Sequence, residues 1–111
     1  MLAVGLLRGK KKTPEERERE RRTNISSIGR ITDGTVIDAS EVEIEGQPAQ
    51  LVIYQYDVGG VSYEASQDVT LLRHLVDLHN CRTGLPASVK YDPYNPGNSI
   101  VIAEGWTGLR L

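Results

Sequence analysis

Phenylalanine is absent from this chain of 111 residues, and cysteine, methionine and tryptophan occur once each. The core must therefore consist of valine, isoleucine, leucine and tyrosine. The lone cysteine, Cys81, cannot form an internal disulfide, which favours a reducing compartment. The longest apolar run near the start, Leu2 to Leu7, is far shorter than the about 20 residues that span a bilayer. Positive charges follow this run, whereas they precede the apolar part of a signal peptide. These absences favour a cytoplasmic domain.

Opposite charges are separated along the sequence. The formal net charge is −2, but residues 8–22 contain eight lysines or arginines and four glutamates, while the remainder contains five basic and eleven acidic residues. A basic N-terminal arm thus precedes an acidic body. A chain of this length allows one ordinary core. We divide it into residues 1–28, the basic arm and a charged helix, and residues 29–111, a small β domain.

A helix start follows the arm. The segment Thr13-Pro14-Glu15-Glu16 combines an N-cap threonine, a proline at the first helical position and a glutamate that can close a capping box. We predict a helix over Pro14–Ile28 that ends at Gly29. Glu18 and Arg22 are four residues apart with the acid first, the spacing of a surface ion pair on a helix.

Strand patterns begin after this helix. Ile31–Ile44 is rich in β-branched residues, and Leu51–Val58 alternates apolar and polar positions. Gly59-Gly60 predicts a two-residue hairpin loop, because both positions of such a loop favour positive φ. This loop fixes the register of the hairpin, in which Tyr56 faces Tyr63 in a stacked cross-strand pair.

The remaining residues alternate between helix and strand signals. Leucines at helical spacing predict a short helix within Asp68–Asn80 that packs on one sheet face. Ala87–Tyr91 is predicted as a strand, and Ser99–Ala103 as the last one. Between them we predict a rigid double turn, in which Asp92-Pro93 starts one turn and Asn95-Pro96-Gly97-Asn98 forms a second.

The predicted elements define the fold class. We expect a mainly β protein: five strands in an antiparallel sheet, rolled into a small barrel or open sandwich, with an N-terminal charged helix and a short helix after the third strand.

Three segments, in this order and spacing, resemble a known family: Gly34-Thr35-Val36-Ile37-Asp38, residues 54–63 with the hairpin, and Val89 to Pro96. The family is the bacterial domain of unknown function numbered 3592, a small β domain often found beside membrane helices. The match covers residues 29–102. The resemblance implies a β fold and a setting near the bacterial inner membrane, and it implies no reaction.

Chemistry-bearing residues cluster at one place only. His74, Asp77, His79 and Cys81 are potential zinc ligands, but the histidines are five residues apart, which does not place them on one helix face, and no second ligand pair lies elsewhere. We interpret them as helix-surface histidines and a half-buried packing thiol. Cys81 with His79 lacks an orienting group and an oxyanion site. We therefore predict a protein that is not an enzyme and holds neither a metal nor a cofactor.

Two further sets of polar residues have alternative interpretations. Asp92 and Asn95 can be ligands for a cation or a hydroxyl, but we favour side chains that bond their own backbone and shape the turn. Tyr56 and its neighbours can form a stacking platform for single-stranded nucleic acid. Acidic neighbours such as Asp57 and Glu64 repel phosphate, which makes nucleic acid an unlikely partner and favours packing.

The basic arm is the feature with the clearest ligand. Arg8, Lys10, Lys11 and Lys12 follow apolar residues and are predicted to contact an anionic membrane surface. A solvated tail and a nucleic-acid contact are the alternatives.

The functional prediction combines these features. We predict a non-enzymatic bacterial interaction or scaffold domain, cytoplasmic and at the inner face of the membrane. Its acidic body would meet a protein partner or a second copy of itself. The alternative is a small-ligand-binding β domain with a cavity between the sheet and the helix around Leu71–Leu78.

Overall fold

The computed structural model describes residues 12–75 and 78–110 of the chain. Its elements are α1 (Pro14–Ile28), β1 (Arg30–Ile44), β2 (Gln47–Val58), β3 (Val61–Asp68), two 3₁₀ segments (Thr70–Leu75 and Leu78–Asn80), β4 (Pro86–Asp92), β5 (Asn95–Ile100), β6 (Ile102–Ala103) and β7 (Trp106–Thr107). The first five strands form an antiparallel sheet in the order β3-β2-β1-β4-β5, and β6 and β7 form a separate hairpin. The prediction of a mainly β fold with a five-stranded antiparallel sheet and an N-terminal helix is confirmed.

The two edges of the sheet, β3 and β5, approach each other without a backbone ladder between them. A buried side chain, Gln67 on β3, bonds instead to the chain just after β5. Its Nε2 donates to the carbonyl oxygen of Ile102 at 2.8 Å, and its Oε1 accepts from the backbone N–H groups of Val101 and Ile102 at 2.8 and 3.2 Å. The sheet is therefore open, and the predicted closure into a barrel is not confirmed.

The β2–β3 hairpin has the predicted geometry. Gly59 and Gly60 have φ angles of 57° and 82°, which only glycine adopts freely. Val58 pairs with Val61, and Tyr56 with Tyr63, as the two-residue loop requires. The rings of the two tyrosines stack with centroids 5.5 Å apart. The predicted register and cross-strand pair are confirmed.

Helix α1 begins and ends at the predicted residues. The side-chain oxygen of Thr13 accepts from the backbone N–H of Glu16, and the Glu16 carboxylate accepts from the Thr13 N–H, which completes the capping box. Gly29 follows the helix with φ −68° and ψ 151°, so it is extended rather than left-handed. A Cβ at Gly29 would collide with the carbonyl oxygen of Ile25, and this close approach explains the glycine.

Two arginines in the middle of α1 bond to the β unit. Arg22, predicted to pair with Glu18, bonds instead to Glu104, and Glu18 accepts from Arg21 at 2.8 Å. Ile25 is fully buried beside β5 and β6. The helix thus packs on the sheet through its last two turns, because an apolar side chain and two cations reach across at helical spacing.

The predicted double turn is half wrong. The first turn exists: Pro93 and Tyr94 form the loop between β4 and β5, and Asp92 pairs with Asn95. The predicted second turn, Asn95-Pro96-Gly97-Asn98, belongs to strand β5. The pairing of β5 with β4 shifts by three residues there: Asp92 pairs with Asn95, but the preceding residue, Tyr91, pairs with Ser99. The extra residues form a bulge, which places proline and glycine within a strand.

The predicted helix after β3 is a 3₁₀ segment. Val69 and Leu72 are buried three residues apart, and the N–H of Leu72 donates to the carbonyl oxygen of Val69 at 2.9 Å. This matches three residues per turn and not the α period. Leu71 and Leu75 of the predicted apolar face are exposed instead. Because only Leu72 of Thr70–Leu75 is buried, this segment covers little of the sheet.

The predicted last strand, Ser99–Ala103, is interrupted at Val101. β5 pairs with β4 as far as Ile100, and the Val101 carbonyl oxygen then accepts from the N–H of Gly108. Leu109 bridges to Ala87, so the C-terminal residues replace β5 beside the first half of β4. The fully buried side chains of Val36, Val52, Tyr54, Val89 and Val101 form the main core between these strands.

Candidate protein-binding groove

The predicted chemistry-bearing residues lie in and just after the two 3₁₀ segments. Within the two described stretches, no group of three His, Cys, Asp or Glu side chains is placed to hold a metal ion. His74 and His79 lie at exposed positions, and Asp77 lies outside the described residues. Cys81 is buried among the core residues, more deeply than the predicted half-buried thiol.

Asp92 shapes the turn between β4 and β5. Its Oδ1 accepts from the backbone N–H of Tyr94 at 2.8 Å, which is the self-bonding geometry expected of an aspartate before proline. Tyr94 itself is exposed. This bond is the backbone contact that the sequence predicts for Asp92.

The structure brings the predicted hairpin residues and the predicted turn residues together. The hydroxyl of Tyr56 donates to the carbonyl oxygen of Pro96 at 2.6 Å. The ring of Tyr63 lies 3.7 Å from where a Cβ on Gly97 would be. The bulge in β5 is therefore held by β2 and β3, across the open side of the sheet, and both sets of residues serve the fold.

The tyrosines form a buried stack rather than a platform. Tyr54 and Tyr56 stack at 5.8 Å, and the hydroxyls of Tyr54 and Ser99 are 2.7 Å apart. Both tyrosines are buried, and this burial raises the pKa of each phenol. Because the faces of Tyr54 and Tyr56 are covered by protein, they offer no surface on which bases can stack.

The predicted basic contact lies mostly beyond the described part of the chain: Arg8, Lys10 and Lys11 are outside it. Lys12 is described, and its Nζ is 2.7 Å from the Glu20 carboxylate.

A groove that the sequence did not predict lies between α1, the β1–β2 hairpin and the first 3₁₀ segment. Its volume is about 400 Å³. Its lining residues come from the first half of α1, from the tip of the β1–β2 hairpin, and from the end of β3 with the start of the first 3₁₀ segment. The residues that line it are Pro14, Glu15, Glu18, Arg22, Ile44, Glu45, Gln47, Pro48, Ala49, Asp68, Thr70 and Leu71.

The groove exists because the β1–β2 hairpin extends beyond its neighbours. β1 pairs with β4 only over residues 30–35, and β3 pairs with β2 only as far as Leu51, whereas the hairpin continues to Ile44 and Gln47. Residues 41–50 therefore form a two-stranded ribbon that turns at Glu45 and Gly46, with φ angles of 51° and 78°. Its end therefore projects beyond the five-stranded part of the sheet.

Acidic side chains surround the groove. Four carboxylates line it, from Glu15, Glu18, Glu45 and Asp68, against one arginine. That arginine is Arg22, which is already bonded to a carboxylate outside the groove. Glu15, Glu45 and Asp68 take part in none of the ion pairs between described residues. The groove therefore presents a net negative field to solvent.

Apolar side chains lie among these acids. Ile44 is 46% exposed and Leu71 is 54% exposed, and both line the groove together with Pro14 and Pro48. Isolated exposed leucines are ordinary on a surface, but apolar residues that converge from three elements on one depression form a contiguous patch. The groove thus combines exposed apolar side chains with carboxylates, as the polar-rimmed surfaces of recognition sites do.

The wall formed by α1 is fixed in place by a strong ion pair. Arg22 has a side chain that is 4% exposed, and its Nε and Nη2 donate to the two oxygens of Glu104 at 3.2 and 3.0 Å. Hydrogen bonding from this guanidinium lowers the pKa of Glu104 below its usual value. Arg21 adds bonds to Asn98 and to the carbonyl oxygen of Ser99. The bidentate geometry gives the helix one orientation against the sheet.

No signal in the linear sequence identifies this groove. Ile44 precedes a turn, and Leu71 lies in a leucine-rich segment that we predicted to be packed on the sheet. The exposure of Ile44 depends on the extent of the neighbouring strands, and that of Leu71 on the 3₁₀ geometry of its segment. Glu15 fits the helix start, where a carboxylate is favoured by the helix dipole. The lining residues are separated by up to 57 positions, so only the folded structure brings them together.

No helix within residues 12–75 or 78–110 is long and apolar enough to cross a membrane. Comparison of the chain with known protein families, with curated proteins and with solved structures finds no match.

Proposed function

We propose that this protein is a non-enzymatic interaction domain that binds another protein through the acidic groove. The observation that carries the proposal is the convergence of Ile44, Pro48 and Leu71 on one depression that is rimmed by carboxylates. Exposed apolar side chains among carboxylates are the composition of a recognition surface with a polar rim, which supports this function. The partner is another polypeptide or a second copy of this chain.

The experiment is site-specific photo-crosslinking in bacterial cells that express the full chain. A benzophenone amino acid replaces Leu71 in one variant and Val61 in the control, since the two side chains are 54% and 53% exposed and only Leu71 lines the groove. We expect a discrete protein adduct from position 71 and none from position 61. Equal labelling at both positions, or labelling at neither, contradicts the proposal.

The setting that we propose is the cytoplasm at the inner face of the membrane. The basic arm with Arg8, Lys10, Lys11 and Lys12 supports it, because each such charge near an anionic surface contributes about 1 kcal/mol. The resemblance to domain of unknown function 3592 supports the same setting. Since no family model matches the chain, membership of that family stays a prediction.

Sedimentation with liposomes tests the setting. Full-length protein and a variant without residues 1–11 are mixed with vesicles that contain anionic lipid and with neutral vesicles. We expect the full-length protein alone to sediment with the anionic vesicles, and less of it as salt rises, because salt screens the attraction. Equal and negligible sedimentation of both proteins contradicts the membrane proposal and leaves the groove proposal intact.

The second candidate function is the binding of a small ligand. A volume of about 400 Å³ lies within the range of small-molecule sites, which favours it. A metabolite at 100 times its Kd would stabilise the protein by about 2.7 kcal/mol, and this stabilisation would be lost in a Leu71→Ser variant. A broad panel of metabolites that leaves the melting temperature unchanged contradicts this candidate.

A further inference from the structure

We infer that the occupant of the groove is a peptide segment rich in lysine and arginine that inserts an apolar side chain between Ile44 and Leu71, supplied by a separate polypeptide. The inference rests on the proposed function and names the chemistry of the partner.

Charge complementarity selects a basic partner. Glu15 on α1 and Glu45 at the ribbon tip both line the groove, so a peptide bound in it meets carboxylates from two separate elements. Asp68, at the end of β3, adds a third carboxylate to the lining. The same three carboxylates repel an acidic peptide as strongly as they attract a basic one, so they exclude an acidic partner.

The exposed apolar side chains of the groove require an apolar residue in the partner as well as basic ones. Leu71 and Ile44 keep about half of their surface exposed, and burying it contributes roughly 25 cal/mol per Å². A lysine-only peptide leaves this surface in water, whereas a leucine among the lysines covers it. The same arrangement disfavours pairing of two grooves between copies, because it would bring carboxylates of equal sign together.

The chain just before α1 runs on the other side of the helix. The carbonyl oxygen of Lys12 accepts from Arg17 at 2.8 Å, and its Nζ bonds to Glu20. With 3.6 residues per turn, Arg17 and Glu20 lie opposite the helix face that carries Glu15 and Glu18. These bonds hold Lys12 on the side of α1 away from the groove, which favours an occupant from another molecule.

The test measures fluorescence anisotropy of a dye-labelled synthetic peptide with four Lys-Lys-Leu repeats, titrated with the full chain in 50 mM salt. A peptide of four Glu-Glu-Leu repeats and a peptide of twelve lysines are the controls. We expect binding of the first peptide that is at least about tenfold tighter than that of either control. Binding should weaken progressively as salt rises to 0.5 M.

Matched variants locate the site. Glu45→Lys and Glu64→Lys make the same change of charge at two exposed positions, and only Glu45 lines the groove. Leu71→Ser and Val61→Ser make the corresponding apolar change. We expect about tenfold weaker binding from each groove variant and less than about twofold change from each control. Glu45→Gln and Leu71→Ala replace any variant whose melting temperature falls.

Three outcomes overturn the inference. The first is no binding of the Lys-Lys-Leu peptide, and the second is equal loss in the groove and control variants, which would mean attraction to net charge alone. The third is binding that tightens more than about threefold when residues 1–11 are removed, which would make the chain's own N-terminus the occupant. If the peptide fails to bind while cross-linking at position 71 persists, the basic partner is wrong and the interaction function stands. If both fail, both are wrong.

Discussion

Replacement of Gln67 by leucine tests how the open sheet is held together. Gln67 is fully buried on β3, and its amide makes three hydrogen bonds to the backbone of Val101 and Ile102, which are also fully buried. Leucine has a similar size but no polar atoms. The Gln67→Leu variant would leave two N–H groups and one carbonyl oxygen buried without these partners.

The magnitude follows from the three lost bonds. A buried donor or acceptor without a partner costs about 1–3 kcal/mol, and partial relaxation with the added apolar surface of leucine offsets part of the total. We expect a loss of about 3–5 kcal/mol in the free energy of unfolding. A domain of this size has about 5–15 kcal/mol in total, so the variant loses a large fraction of its stability.

Urea unfolding, followed by circular dichroism, measures this loss. The control is Gln55→Leu, a glutamine at an exposed position on the neighbouring strand β2, which should change stability by no more than about 0.5 kcal/mol. If Gln67→Leu costs less than about 1 kcal/mol with an unchanged denaturant slope, the side-chain bridge between the two sheet edges is not what holds them.

Three further predictions concern stability. Gly34→Ala should lower the free energy of unfolding, measured in urea, by about 1–3 kcal/mol, because the new Cβ would lie 2.7 Å from the carbonyl oxygen of Gln55. Gly97→Ala is the control and should be nearly neutral, since its Cβ would make ordinary contacts only. Equal effects of the two variants would contradict the packing at Gly34. The pKa of Glu104 is lowered in the folded protein, so its charged carboxylate stabilises the fold at pH values above 4.5, the usual pKa of this group. The difference in stability between the wild type and Glu104→Gln should therefore close as pH falls below 4.5. A difference that is constant in acid would refute the ion pair. The pKa of Tyr54 is raised in the folded protein, so this phenol ionises at lower pH in the unfolded chain, and the stability of the fold should decrease above about pH 10. Ultraviolet titration should show the buried phenol ionising only when the protein unfolds. Ionisation of all five tyrosines in the folded protein would contradict the burial of Tyr54.

Local signals predicted part of this fold correctly. The capping box at Thr13 and Glu16 involves residues three positions apart, and the Gly59-Gly60 loop fixes pairing between strands that are adjacent in sequence. In both cases, the residues that determine the structure are close along the chain. Backbone preference and short-range hydrogen bonding therefore suffice to predict it.

The errors arose where distant residues override local preference. Asn95-Pro96-Gly97-Asn98 has the composition of a turn, but Tyr56 and Tyr63 hold it as a bulge within a strand. No preference of the segment itself encodes contacts about 40 residues away. Likewise, Arg22 has a suitable partner in Glu18 on its own helix and yet bonds to Glu104, which becomes a neighbour only after folding.

The candidate groove was beyond prediction for a related reason. Leu71 has the helical spacing of a core residue, and its exposure results from the 3₁₀ geometry after β3, in which Leu72 is buried instead. Ile44 is exposed because β1 and β2 extend past β3 and β4. How far one strand extends past its neighbour depends on the pairing of the whole sheet, so it cannot be predicted from the hydrophobic periodicity of a single segment.

Amide chemical shifts of the isotope-labelled full chain, recorded during titration with the Lys-Lys-Leu peptide, test most directly whether the acidic groove is a binding site. Binding in the groove predicts that the largest shifts occur at Ile44–Ala49 and at Thr70 and Leu71, with small shifts around the Gly59-Gly60 loop at the far end of the β2–β3 hairpin. Shifts that are largest at that loop, or spread evenly over all acidic residues, would contradict the binding site that we propose.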